Sequence, residues 1–304
     1  MPRSHLGRRQ LHAPVMVREV LSLLVHDPDG VYVDCTLGCG GHAAAILGKL
    51  SHQGRLIGLD KDGDSLLVAN EELKAFGERV FLFRRDFRGL PGVLKELSLG
   101  SVSGILFDLG LSSLQLDADR GFSYQKDSPL DMRFDGSEGD TAADILNTRS
   151  EEELAEMFRE HADLRHARRQ ARAIVEHRKR GALRTTRDLV VALRRATPPG
   201  NPHRALARVF QALRIAVNDE LTAIREALAL NTPFLSPGGR VCVIAYHSGE
   251  DRIVKHFLRE NVVFADGVEA RLEKLTRKVV RPQADEIAEN PRSRSARLRA
   301  ARRS

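Results

Sequence analysis

Tryptophan is absent from the 304-residue chain and aromatic residues make up only 5% of it, too few for extended base-stacking platforms. Cysteine is scarce and odd in number. Cys35, Cys39 and Cys242 build no disulfide framework, which suits a reducing compartment, and the Cys35/Cys39 pair has no second Cys/His pair nearby to complete a zinc site. No metal is expected. No run approaches the ~18 apolar residues of a membrane helix, and the opening MPRSHLGRRQLHAP lacks an apolar h-region. Neither a membrane span nor export is expected, and the cytoplasm is the expected location.

Acidic residues are missing from particular places rather than overall. The net charge is +7, yet residues 161–210 hold 13 Lys/Arg against three acids, 271–304 hold 11 against four, and 1–18 hold four against none, leaving −14 for the rest. A basic lobe on an acidic body is the footprint of a phosphate-backbone partner. Arginine-rich helices also occur simply as solvated surface, so charge alone does not decide.

What is present is organised around VYVDCTLGCGGH (31–42). Alternating apolar residues run into Asp34, then into a glycine cluster at Gly38, Gly40 and Gly41, then into a small-residue helix. A buried strand ending in a glycine turn that opens a helix exposes backbone N–H groups to a ligand. Gly38, Gly40 and Ala43 satisfy the dinucleotide fingerprint G-x-G-x-x-A, with Asp60 roughly 20 residues on as the ribose acid. Asp34 argues for a different ligand, because a carboxylate before the first glycine does nothing for a pyrophosphate. S-adenosylmethionine carries an ammonium and a sulfonium, and suits acids at the ends of strands one and two. An NAD-dependent oxidoreductase and a ligand-free turn with Asp34 as a helix cap remain alternatives.

Taken in order, a helix at 16–24 precedes strands at 31–33, 54–60, 80–84 and 102–108, with helices at 42–50 and 62–76 between them. Asp34, Asp60, Phe87 and Asp108 would gather at the carboxyl ends of a parallel sheet. Residues 109–140 read as an ordered loop over the site. Three or four helices follow to about Thr197, with caps at Thr141 and at Ser150/Glu153, then a TPPGNP turn and one long helix over 204–228. An apolar stripe on that long helix would leave room for a homodimer. A fifth strand at 240–245, a helix at 250–260 and a last strand at 274–280 precede a basic tail, 290–304. The sheet is thus expected to be split by a basic helical insert, the two facing each other across a cleft.

Several blocks resemble the bacterial ribosomal RNA small-subunit methyltransferase H family: DCTLGCGGH (34–42), DLGLSSLQLD (108–117), RGFSY (120–124), PLDMR (129–133), VFQALRIAVNDEL (209–221), YHSGEDRIVK (246–255) and NPRSRSARLR (290–299). The resemblance runs from about His12 to Arg299. Gly249 and Tyr246 depart from it, where the family usually has a larger apolar residue and Phe. It implies an α/β, class I (Rossmann-like) S-adenosylmethionine-dependent methyltransferase sheet with an inserted all-helical domain, in three segments: 1–116, 117–205 and 206–304. It also implies methylation of a cytosine N4 in 16S rRNA within the small ribosomal subunit, with S-adenosyl-L-homocysteine as product. By motif, cofactor contacts fall on Gly40, Gly41, His42, Asp60, Phe87, Asp108 and Gln115.

Cytosine N4 is a poor nucleophile, and acceptors for its N–H groups would return electron density to it. Amino-group methyltransferases usually place an Asp/Asn/Ser-Pro-Pro-aromatic motif after strand four. Here that position reads DLGLSS, so Asp108 with Ser112 or Ser113 takes the role, and Phe122 or Tyr124 is left to stack the base. Asp131, His247 and Asp251 are further candidates, with His247 as proton acceptor or simply bonded to Glu250 or Asp251. Arg165, Arg168, Arg169 and Arg172, and the tail arginines, are expected to track phosphates.

Overall fold

Along each central strand, apolar side chains alternate between the two faces of one sheet. In chain order the elements are α1 (Val17–Leu24), β1 (Val31–Asp34), α2 (Gly41–Leu47), β2 (Arg55–Asp60), α3 (Gly63–Leu73), β3 (Val80–Arg84), α4 (Leu90–Glu96) and β4 (Val102–Asp108). Then come α5 (Ser113–Asp117), α6 (Ala142–Thr148), α7 (Glu151–Ala162), α8 (Ala167–Arg178), α9 (Thr186–Leu193), α10 (Pro202–Asn218) and α11 (Glu220–Asn231). The chain finishes with β5 (Leu235–Ala245), α12 (Ser248–Glu260), β6 (Val262–Ala265), β7 (Val268–Lys274), α13 (Ala284–Glu289) and β8 (Arg297–Arg303). The structure is a computed structural model that describes residues 14–197, 202–260, 262–265 and 268–304. Most of the basic arm expected at 1–18, and of the TPPGNP turn, lies outside the described residues.

The strand order is β3-β2-β1-β4-β5-β8-β7-β6. The first five of these run parallel, and β8, β7 and β6 are antiparallel additions. The chain steps outward from β1 to β3 and then returns to lay β4 beside β1. Ligands of open α/β sheets bind beyond the strand ends at such a switch point. Val33, Ile57, Ile105 and Val243 pack with α4 and α12 on one face, while Tyr32, Leu56, Leu106 and Ile244 pack with α1 and α2 on the other.

The chain divides into two compact units. One holds the described residues up to Ser113 together with Ile224–Ser304, and the other is Leu114–Ala223. The helical unit is nucleated by strong local signals. Thr141/Asp144, Ser150/Glu153 and Thr185/Asp188 form reciprocal capping boxes for α6, α7 and α9. It extends past the expected boundary at 205 because α10 packs on α7.

Four expectations are corrected. The helix expected over 204–228 is two helices, broken where Asp219 takes a φ of 50°, a conformation a short polar side chain tolerates. The apolar positions of α10 (Val209, Phe210, Leu213 and Ile215) are buried within the chain, so it offers no stripe for a homodimer. The strand expected at 274–280 ends at Lys274, leaving Val280 a single bridge to Leu298. The basic tail is not a tail: β8 lies between β5 and β7, with Leu298, Ala300 and Ala301 buried. Its arginines are tied down, Arg299 to Asp251 at 2.8 Å, Arg302 to Glu273 at 2.7 Å, and Arg303 to the carbonyls of Pro233 and Leu235. The arginine-rich composition hides a strand whose small and apolar residues are the ones buried.

Candidate active site

The site lies in the sheet unit, where β1, β2 and β4 each end in an aspartate. Asp34 is 1% exposed, and its Oδ1 accepts the Thr36 N–H at 3.1 Å. The Thr36 hydroxyl in turn accepts the Asp108 N–H at 2.6 Å, joining the ends of β1 and β4. Asp60 accepts the Gly38 N–H at 2.7 Å and the Asp62 N–H at 2.9 Å, so β2 holds the glycine turn in place. Gly40 has a φ of 87°, and a Cβ there would lie 3.3 Å from Leu73, so the turn into α2 needs glycine. Above Gly38 the nearest side-chain atom to an added Cβ would be Ser112 Cβ at 3.8 Å, which places Ser112 beside the turn.

Burial pushes Asp34 up to about 6, with His42 pulling down and Asp108 and Asp60 pushing further up. Burial likewise pushes Asp60 up to about 6 against its backbone hydrogen bonds. Asp108 is also raised by burial, although His42 and the Tyr246 hydroxyl hold it back. Of the two acids flanking the switch point, Asp108 is the more open, its side chain keeping 21% exposure.

Asp108 is clamped from two sides. Tyr246 Oη donates to Oδ1 at 2.8 Å, and His42 Nδ1 lies 3.5 Å from Oδ2. Burial and the neighbouring Asp108 raise the phenol well above its usual range, so Tyr246 stays a donor. Gly110 makes room, since a Cβ there would come within 2.7 Å of the tyrosine ring. Sequence reasoning treated Tyr246 as a mere departure and passed over Thr36. The signal was available: Tyr246 follows the strand that neighbours the one ending in Asp108.

Gly41 and His42 open α2, and the half-buried Phe87 sets its ring edge-on to Phe107 at 5.8 Å while its carbonyl accepts from Asn231 at 2.9 Å. His247 lies 3.0 Å from Glu250 Oε1, whose partner oxygen accepts the Tyr246 and His247 N–H groups. That contact holds the histidine at the end of β5, the second of the two parts expected for it. Asp251 is the partner of Arg299.

The remaining candidates belong to the helical unit. Gln115 is buried on α5, while the side chain of Ser113 lies outside the described residues. Phe122 is buried and stacked on Phe134 at 5.7 Å with Arg120 over its ring. Tyr124 meets Phe210 edge-on at 5.6 Å. Asp131 is held by Arg133 at 2.8 Å. Arg165, Arg168, Arg169 and Arg172 are exposed along one side of α8 and the turn before it, with Arg169 donating to the Arg195 carbonyl and Arg172 to Glu151. Arg178 instead donates to the Leu146 and Arg149 carbonyls and so closes the end of α6.

A parallel sheet with this switch point, a glycine turn after β1 and acids raised by burial at three strand ends is the frame of a class I S-adenosylmethionine-dependent methyltransferase. Residues 9–304 match the model of the MraW methylase family, and the chain belongs to that family. A protein of Syntrophotalea carbinolica named ribosomal RNA small subunit methyltransferase H is 49% identical over 96% of this chain and 98% of its own. Proteins of the same name from Heliobacterium modesticaldum and Syntrophus aciditrophicus are 46% and 43% identical, covering 95% and 98% of this chain and 97% and 99% of theirs. Family membership removes the oxidoreductase alternative. Among the described residues no helix is long and apolar enough to cross a membrane, and no cluster of His, Cys, Asp and Glu could hold a metal.

Proposed function

We propose that this protein methylates the exocyclic N4 amine of a cytosine in the decoding region of 16S rRNA, within the small ribosomal subunit, by direct in-line transfer from S-adenosylmethionine. The observation that carries this reading is the trio of raised carboxylates at adjacent strand ends, in a chain whose relatives bear the name of a small-subunit rRNA methyltransferase. Burial of negative charge without a matching cation is costly, so the site fits a ligand that brings positive charge. When bound, the donor supplies a methyl group made electrophilic by its sulfonium.

Asp34 would hold the methionyl amine, directly or through water, and Asp60 the ribose hydroxyls. Gly38, Gly40 and Gly41 let backbone N–H groups approach the methionyl carboxylate, whose charge a helix start favours. Phe87 would pack on the adenine, and Gln115 would offer donor and acceptor to the methionyl group or the ribose. Asp108, with Ser112 or Ser113, would accept the N4 hydrogens and orient the lone pair, since placement supplies much of the rate in such a transfer. Arg165, Arg168, Arg169 and Arg172 would track phosphates, and Phe122 or Tyr124 would stack the base. The target base must leave its surroundings to be reached.

The test is transfer of labelled methyl to small ribosomal subunits and to bare 16S rRNA, followed by nucleoside analysis. N4-methylcytidine at one site is expected. Label on a ring carbon or on a ribose would overturn the assignment of the reacting atom, and comparison of the two substrates shows which of them the enzyme recognises.

A further inference from the structure

His42 is held in a way that fixes where its hydrogen lies. Its Nε2 sits 2.9 Å from the carbonyl oxygen of Val15, and a carbonyl only accepts, so Nε2 carries a hydrogen. The other ring nitrogen, Nδ1, faces Asp108 Oδ2 at 3.5 Å. A neutral ring with its hydrogen on Nε2 would point a lone pair at a carboxylate oxygen, and the ring is removed from water, His42 being 6% exposed. A second proton between them resolves that repulsion. The start of α2 disfavours positive charge on His42, but two carboxylates, Asp34 and Asp108, oppose it.

We propose that His42 and Asp108 together hold one proton in the ligand-free protein, give it up when a cationic ligand occupies the site, and regain it from the substrate amine during transfer. This deepens the proposed function and rests on it. In the transfer, the N4 lone pair forms the new N–C bond while the C–S bonding pair stays on sulfur. One N4–H bond then breaks with its electrons left on nitrogen, and that proton joins the His42–Asp108 pair. The positive charge of the sulfonium thus passes to N4 with the methyl group and reaches the pair as a proton, so the pair ends each cycle as it began. The other ionisable groups facing the pair are Asp34, Glu250 and Tyr246, with Asp60 beyond Asp34. Asp34 and Asp60 are themselves raised to about 6, so the comparison with a His42 variant is needed to separate their protons from that of the pair.

The experiment is calorimetric titration of the full chain at pH 7 in two buffers of different ionisation enthalpy, with S-adenosylmethionine and with S-adenosylhomocysteine. Binding of the first should release about one proton and binding of the second close to none. Whatever affinity His42→Gln retains for the first ligand should come without the release, and comparing the two proteins with the same ligand cancels the ligand's own titration. Imidazole nitrogen shifts of the unmodified protein give a second readout that needs no variant. Nδ1 of His42 should be protonated when free and unprotonated with S-adenosylmethionine. Equal release with both ligands, or binding of both with no release, overturns the proton inference alone. Absence of binding by either ligand overturns the cofactor reading and the inference with it.

Discussion

The acids of the helical unit and those at the strand ends meet opposite fates. Asp131 pays a burial cost, but hydrogen bonds from Arg133 outweigh it and hold the carboxyl below its usual range. Asp144 is lowered by the Thr141 hydroxyl it caps with, and Asp188 by the backbone of Arg184 and Thr185. In the sheet unit Asp86 follows the same pattern, with Arg88 at 3.0 Å and Lys61 at 3.2 Å. Asp34, Asp60 and Asp108 do not: burial wins and they are raised. Where an acid serves the fold alone, its donors or cation outweigh the cost of burial. Where burial outweighs the donors, the raised acid marks a candidate ligand site.

The most severe way to break this contrast is Asp108→Asn, which keeps the shape but removes the charge. Turnover should fall by about 10²-fold or more, the scale of losing a positioned acid–base or charge-stabilising group, with the chain still folded by circular dichroism. Near-normal turnover would remove Asp108 from the chemistry. Next is Asp34→Asn, expected to weaken S-adenosylmethionine binding by roughly 10- to 100-fold, the worth of a charged hydrogen bond. The same change should stabilise the protein. Asp34 is raised from 3.8 to about 6, so its contribution to stability is complete below about pH 4 and is lost as pH rises through about 6. At pH 7 that loss is on the order of 3 kcal/mol, so thermal melts of the variant should gain on the parent between pH 4 and 7. A parallel pH dependence in the two proteins would contradict the assignment.

Asp131→Asn sharpens the contrast from the other side. Removing an acid that the fold itself employs should destabilise by about 1 kcal/mol and leave cofactor affinity unchanged, as denaturant titration and equilibrium binding would report. The smallest effect is expected from Arg168→Gln with Arg172→Gln. RNA affinity should fall a few-fold and the salt slope by about 1 to 2 units, with no change in cofactor binding. An unchanged slope would make that side of α8 ordinary solvated surface.

The parallel half of the sheet was legible because β1 to β4 carry continuous apolar runs ended by acids and turns. The capping boxes at Thr141 and Ser150 were legible because their chemistry is local. What escaped was decided by distant partners. Nothing in RLRAARR announces an interior strand until β5 and β7 flank it, and Asp219 breaks a helix whose apolar periodicity continues on both sides. In the site, the strand-end acids were visible one by one. The Tyr246 and His42 clamp on Asp108 was not, because three elements distant in sequence must meet to form it. The stacking of Phe122 on Phe134 was hidden for a related reason, since nothing in the loop's sequence pairs the two rings.

The helical unit interrupts the sheet between β4 and β5, two strands that pair directly. Thermodynamically it is therefore a spacer as well as a lobe. While it is folded, the loop that β4–β5 pairing must close is effectively short; if it melts, the same pairing has to close more than a hundred flexible residues, and each doubling of such a loop costs about 0.6 kcal/mol. A lesion confined to the helices would then loosen the crevice at Asp108 through chain entropy alone, without disturbing a single atom there.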